Sequence, residues 1–188
     1  MNTIITFIIP SIARLTILRT IESLKKQSNP NWRAIVVYDG VDGPTFNDER
    51  IKIIKSEKVG LEGPKNGQSG LVRNIGIKQT ETETEWIGFL DDDDTIHPDY
   101  VSTLIEKYND KDFVIWRMKY NNGLVLPPDR QKKLIFATVG ISFCYKKSLG
   151  EILFDNNRDG EDFDFLMKLQ NLTNKWVITP EVYYNVRH

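Results

Sequence analysis

Asp91, Asp92, Asp93 and Asp94 stand in unbroken succession behind the apolar run Trp86-Ile87-Gly88-Phe89-Leu90. Four neighbouring carboxylates repel one another and raise each other's proton affinity unless a cation neutralises them. Hard oxygen donors in that number suit Mn²⁺ or Mg²⁺, cations that bridge protein carboxylates to substrate phosphates. A solvated acidic turn at a helix start is the plainer reading. The buried strand in front and the helical pattern that Pro98 opens behind favour the metal-binding one. Asp39 closes an apolar run just before Gly40, and Glu161-Asp162 opens an amphipathic segment, where a helix dipole favours acids in the first turn.

The elements that position these acids read as α/β. Ile4 to Ile9 is almost continuously apolar and closed by Pro10, the mark of a central strand covered on both faces. Arg14 to Gln27 carries Leu15, Leu18, Ile21 and Leu24 at helical spacing, with Arg19, Glu22, Lys25 and Lys26 expected in water. Trp32 to Tyr38 is a second strand, which completes a parallel βαβ crossover, and Arg50 to Lys55 a short third. Ser56 to Gly70 reads as a glycine-rich loop without the spacing of a Walker or dinucleotide fingerprint. Leu71 to Gln79 reads as a helix with Arg73 in its first turn. Beyond the acidic run come a helix with Val101, Leu104, Ile105 and Tyr108 on one face, then strands over Phe113–Met118 and Ala137–Tyr145. A helix buries Phe165, Leu166, Leu169 and Leu172, and two short terminal strands follow. Ligands of open α/β sheets bind beyond the carboxyl ends of the strands, where the acidic run falls.

At 188 residues the chain fits one domain with a sizeable core. A net charge of −1 with 27 % charged residues marks neither a nucleic-acid binder nor a polybasic membrane protein. A single cysteine, Cys144, excludes an intramolecular disulfide and fits a reducing, cytoplasmic compartment. The N-terminus lacks a basic segment and cleavage site, so no signal peptide is expected, and the longest apolar stretch is too short to span a bilayer.

Taken in order, five pieces of the chain resemble the family 2 glycosyltransferases: Phe7-Ile8-Ile9-Pro10-Ser11, Ile35-Val36-Val37-Tyr38-Asp39-Gly40, Gly70-Leu71-Val72-Arg73-Asn74-Ile75-Gly76-Ile77, Trp86 to Asp94 with Pro98, and Gly160-Glu161-Asp162-Phe163-Asp164-Phe165. The resemblance implies a GT-A fold, with a Rossmann-like, mostly parallel central sheet flanked by helices and a small additional β element in the second half. It implies an inverting enzyme that uses nucleotide-diphosphate sugars. Within that resemblance Pro10 and Ser11 close the first strand of the nucleotide site, and Asp39 meets the pyrimidine base, where a carboxylate acceptor selects the N–H of uracil. Arg73 matches the basic residue near base and phosphates. Asp91 and Asp93 match the DxD motif, with Asp91 or Asp92 holding the ribose and Asp93 the metal, the fourfold run leaving the register open by one residue. Asp162 matches the general base. His188 matches a histidine that returns to the metal and would favour Mn²⁺ over Mg²⁺. The chain departs from the family pattern at Ile12, Ala13 and Tyr38, positions tied to nucleotide preference.

The reading that follows is a metal-dependent, inverting glycosyltransferase that moves a hexose-type sugar from a UDP-sugar to a hydroxyl on a glycan, lipid-linked or protein acceptor. Residues 1–95 would form the nucleotide-sugar half and 96–188 the acceptor and catalytic half. Two alternatives are a pyrophosphorylase-like nucleotidyltransferase and a non-catalytic nucleotide-sugar-binding relative. Such nucleotidyltransferases carry a glycine-rich basic loop after the first strand, whereas Pro10-Ser11-Ile12-Ala13-Arg14 has no glycine, and the acids at 91 to 94 and 161 to 162 speak against a mere binding module.

Overall fold

The computed structural model describes residues 4–59, 69–156 and 160–187. In chain order the elements are β1 (Ile4–Ser11), α1 (Ile17–Lys25), β2 (Trp32–Asp39), β3 (Ile51–Ser56), α2 (Ser69–Lys78), β4 (Thr84–Phe89), β5 (Thr95–Ile96), α3 (Tyr100–Lys107), β6 (Phe113–Ile115), β7 (Met118–Lys119), β8 (Val125–Leu126), β9 (Phe143–Lys146), α4 (Glu161–Leu172), β10 (Trp176–Ile178) and β11 (Tyr184–Asn185). Among the described residues seven strands form one sheet in the order β10-β6-β9-β4-β1-β2-β3, and β5-β11-β7-β8 form a smaller second sheet. From β4 to β3 neighbouring strands are parallel, while β9 runs antiparallel to both β4 and β6.

This order creates the site. The chain runs outward from β1 through β2 to β3, then returns to place β4 on the other flank of β1. The reversal leaves a crevice at the carboxyl ends of β1 and β4, the place where open α/β sheets bind ligands. Ser11 ends β1, and the acidic run follows β4. Central placement explains the apolar strands: Phe7, Ile8 and Ile9 are fully buried, as are Val36 and Val37 beside them. Helix α2 lies very close to β1, since a Cβ on Gly76 would stand 2.5 Å from Ile8 Cγ2. Only glycine permits that approach, and it brings Arg73, one turn earlier, over the crevice. Beneath the acids lies an aromatic cluster in which Phe89 meets Phe143, Phe154 and Phe165 at centroid distances of 5.1, 5.2 and 5.7 Å. Phe165 anchors α4 there together with buried Leu166 and Leu169. Each such side chain contributes roughly 1.5–3 kcal/mol by burial.

Several sequence expectations need correction. Leu15 and Leu18 are 75 % and 50 % exposed; α1 starts at Ile17 and buries Ile17, Thr20, Ile21, Ser23 and Leu24. Its inner face is partly polar because it covers the acidic turn, whose carbonyls need donors: the Thr20 hydroxyl donates to the Asp94 carbonyl at 2.8 Å. The strand expected over Phe113–Met118 divides at Trp116 and Arg117, where the chain crosses from the large sheet to the small one. Ala137 to Ser142 is not strand; Ala137 has φ 62°, and Thr138 turns back onto the Ile135 carbonyl. Leu172, expected in the core, is exposed at the end of α4. His188 and the glycines at 60, 63 and 67 lie outside the described residues.

Candidate active site

Four consecutive aspartates cannot share one direction, and the turn after β4 sends each to a different partner. Asp91 receives Arg73 Nη2 at 2.6 Å. Asp92 is buried and accepts from the Ser11 hydroxyl at 2.7 Å. Asp93 receives Arg14 Nη1 at 2.5 Å. Asp94 is buried and accepts from the Arg187 backbone N–H at 2.9 Å. Burial pushes Asp92 above the usual carboxylate range. Burial, reinforced by the Asp91 charge, lifts Asp94 to about 7. The alternation has a chemical consequence. Asp92 and Asp94 are bound into the fold, while the carboxylates of Asp91 and Asp93 remain the more open pair at the crevice.

Across the crevice, Gly160 adopts φ 79° and turns the chain into α4. The first two helical residues then do different things. Glu161 accepts from the Ser69 hydroxyl at 2.7 Å, the Gly70 N–H at 3.1 Å and Arg73 Nη1 at 2.8 Å, and so ties α4 to α2. Asp162 makes no such bond. Its Oδ1 is sealed from solvent without a hydrogen-bond partner, 3.8 Å from Arg73 Nη1. The side chain as a whole is 28 % exposed, so it keeps some contact with solvent. Burial is the main reason its pKa rises to about 7; Arg73 draws it down, and Asp91 and Glu161 push it back up. A carboxyl group poised near neutrality suits proton transfer.

Arg73 is the centre of this arrangement. Its side chain is 3 % exposed and its guanidinium spans Asp91 and Glu161. Burial alone would lower its pKa, but Asp91, Asp162 and Glu161 more than offset that and hold it charged. The sequence reading places Arg73 near base and phosphates; in this structure its two terminal nitrogens are engaged by protein acids, with Ser69 Oγ a further partner of Nη1 at 2.9 Å, while Nε is buried without a hydrogen-bond partner.

Of the sequence-predicted residues, Pro10, Ser11, Arg73, Asp91, Asp92, Asp93 and Asp162 meet around one crevice. Asp39 sits at the end of β2, next to the end of β1, buried and accepting the Val59 N–H at 2.6 Å. Sequence reasoning gave three residues of the site no role of their own. Arg14 carries a readable signal, a cation just past the end of β1 on the same side as the acidic turn. Glu161 was visible only as a helix-opening acid. Tyr184 carried none: its buried hydroxyl accepts from the Asp91 N–H at 3.2 Å and bonds Asp94, contacts created by the pairing of β11 with β5. Among the described residues no three His, Cys, Asp or Glu side chains converge as a ready metal-ligand set. A cavity of about 400 Å³ lies apart from the aspartate run, near Thr6 and Arg33; of its three lining cations Arg33 is paired with Glu81 and Arg50 with Asp48, while Lys52 bonds the Gln79 side chain. No helix among the described residues is long and apolar enough to cross a membrane.

The architecture is that of a GT-A domain, and it superposes on TarS of S. aureus with a TM-score of 0.77 at 22 % identity, covering 99 % of this chain and 37 % of that one. The TarS 1-349 structures solved in complex with UDP and with UDP-GlcNAc match at TM-scores of 0.73, with 20 % and 21 % identity over 98 % of this chain and 60 % and 58 % of theirs. The sequence profile of "Glycosyl transferase family 2" matches residues 6–170, and the chain belongs to that family. EpsH of Bacillus subtilis (strain 168) is 36 % identical over 110 residues, which is 53 % of this chain and 29 % of EpsH. The chain thus spans less than two thirds of the length of each of these relatives.

Proposed function

We infer that this domain transfers a sugar from a UDP-sugar to an acceptor hydroxyl with inversion at the anomeric carbon, with the help of a divalent cation. One observation carries the reading: Asp162 presents an under-satisfied carboxyl group, held near neutral pKa, across a crevice from Asp91 and Asp93. In a direct displacement the acceptor oxygen attacks the anomeric carbon as its proton passes to Asp162. The bond from that carbon to the diphosphate oxygen breaks, and the diphosphate leaves with the electron pair. A base is needed on the face opposite the leaving group, and α4 stands opposite the acidic turn.

Asp91 and Asp93 are the residues that would hold Mn²⁺ or Mg²⁺. Their hard carboxylate oxygens fit either cation, and both groups already attract cationic partners in Arg73 and Arg14. When bound, such a cation supplies neutralisation of the charge that grows on the leaving diphosphate. Ser11 fixes Asp92, and Tyr184 fixes the backbone of Asp91, so the turn is organised before any ligand arrives. The choice of uridine draws support from Asp39 at the end of β2 and from the UDP and UDP-GlcNAc complexes of TarS. Cys144, buried and with its thiol pushed up to about 12 by burial, is a core residue and fits a cytoplasmic setting.

The test is nucleotide release from UDP-sugars in the presence of Mn²⁺ by the parent domain and by Asp162→Asn. The substitution keeps the shape but removes the proton acceptor, and turnover should fall about 10²–10⁴-fold with donor affinity unchanged. Collapse of donor binding with normal turnover of bound donor would make Asp162 a binding residue and overturn the mechanism.

A further inference from the structure

The contrast between the two arginines of the site points to a second function for one of them. Arg73 is sealed in, with both terminal nitrogens held by protein acids. Arg14 is 49 % exposed, and only Nη1 is engaged, at 2.5 Å from Asp93 and 3.6 Å from Asp92. Its backbone is firmly set. Ala13 before it takes a left-handed φ of 64°, with its N–H on the Ser11 hydroxyl at 2.9 Å, and the Arg14 carbonyl accepts the Ile17 N–H at 3.2 Å. A non-glycine residue in that conformation is held there by its surroundings, and such strain gathers at functional sites. The result is a fixed base carrying a long, solvent-accessible cation at the mouth of the crevice, resting on one of the two more open aspartates.

We propose that Arg14 is a displaceable counter-ion: in the unliganded domain it neutralises Asp93, and when a divalent cation takes that carboxylate it is released onto the diphosphate of the donor. An exposed ion pair is weak and easily exchanged, unlike the buried pairs of Arg73. The exchange also follows from charge. The carboxylates of Asp91, Asp93 and Glu161 alone outnumber the two guanidiniums that pair with them, and a diphosphate brings further negative charge into the same crevice. A cation that evicts Arg14 from Asp93 frees a guanidinium, the side chain best matched to phosphate oxygens, within side-chain reach of the incoming group. Arg14 therefore makes the bare cation compete for its site and rewards the cation and nucleotide for arriving together.

The inference rests on the nucleotide-sugar reading, and the experiment separates the two. Mn²⁺ binding without nucleotide is measured by electron paramagnetic resonance, and UDP binding in Mn²⁺ by calorimetry, for the parent domain, Arg14→Gln and Arg14→Lys. In Arg14→Gln, Mn²⁺ alone should bind about tenfold more tightly and UDP about tenfold more weakly, while Arg14→Lys stays nearer the parent in both. Unchanged Mn²⁺ affinity in Arg14→Gln overturns the counter-ion role, and unchanged UDP affinity overturns the release onto diphosphate. A parent domain that binds UDP with neither Mn²⁺ nor Mg²⁺ overturns the nucleotide-sugar reading and this proposal with it. Binding by the parent that Arg14→Gln leaves unaltered overturns the Arg14 proposal alone.

Discussion

Asp162→Asn should stabilise the fold, by an amount that depends on pH. In the unfolded chain an aspartate ionises near 3.8, whereas in the folded domain burial holds Asp162 protonated to about 7. Between those values the folded state binds the extra proton, so stability falls as pH rises through the window; the full penalty is present above about 7 and none below 3.8. At about 1.4 kcal/mol per pH unit the ceiling is roughly 4 kcal/mol. Solvent reaching the 28 % exposed side chain trims this, and we expect about 2 kcal/mol. Asparagine does not titrate and escapes the penalty. Its advantage should therefore be near zero at pH 4, grow to pH 7 and then level off. Asp94, also held to about 7, is common to both proteins and cancels in the difference.

Urea unfolding of the two proteins in chelator, followed by circular dichroism from pH 4 to pH 8, measures this directly. Glu161→Ala is the internal contrast. It removes the acceptor for the Ser69 hydroxyl, the Gly70 N–H and Arg73, and leaves a buried guanidinium half-paired. Breaking one side of a buried pair costs about 3–5 kcal/mol, a large share of a total stability of roughly 5–15 kcal/mol. Adjacent acids would then have opposite effects on stability. A difference between parent and Asp162→Asn that stays flat with pH, or a destabilised Asp162→Asn at pH 8, would refute the assignment of Asp162 as the strained, reactive member of the pair.

Two further expectations follow from the same geometry. UDP binding measured calorimetrically should be strong in Mn²⁺ and lost in excess chelator, and Asp93→Ala should lose the metal-dependent part while keeping its far-ultraviolet spectrum; UDP affinity indifferent to chelator would count against the metal reading. Gly70→Ala should lower stability by about 1–3 kcal/mol in thermal unfolding despite the helix propensity of alanine, because its Cβ would stand 2.6 Å from Glu161 Oε2 and 2.8 Å from Phe154 Cβ; a rise in the melting temperature would show that the α2–α4 contact is loose.

What the sequence revealed depended on how local the cause was. β1, β2 and β4 were readable because strands in the middle of a parallel sheet are buried on both faces and cannot hide their apolar runs. The buried face of α1 was misread because Thr20 and Ser23 face inward to bond the acidic turn and Ile96, and helical periodicity counts only apolar residues. The break at Trp116–Arg117 was hidden because both sides are strand-like, and only the second sheet decides where one ends. In the site, the aspartate run announced itself by repulsion alone. Asp162 did not, since a helix-opening acid is cheaply explained by the dipole; its resemblance to a family motif singled it out. The Arg14–Asp93 and Tyr184–Asp91 contacts join residues far apart in the chain, and no local pattern encodes them.

Arg73 explains why the two halves of the site need each other. The acidic turn is built from the β1–β4 crevice, and the base from α4, which arrives 70 residues later in the chain. Each alone is a concentration of negative charge with no reason to approach the other. α2, held against β1 by Gly76, inserts one buried guanidinium between them. A lysine offers a single point charge there, whereas the fork of arginine gives Nη2 to Asp91 and Nη1 to Glu161. The same Nη1 stands 3.8 Å from Asp162, close enough to moderate its proton affinity without satisfying it. One side chain therefore binds the turn that would face the donor, fastens the helix that carries the base, and keeps that base near neutrality.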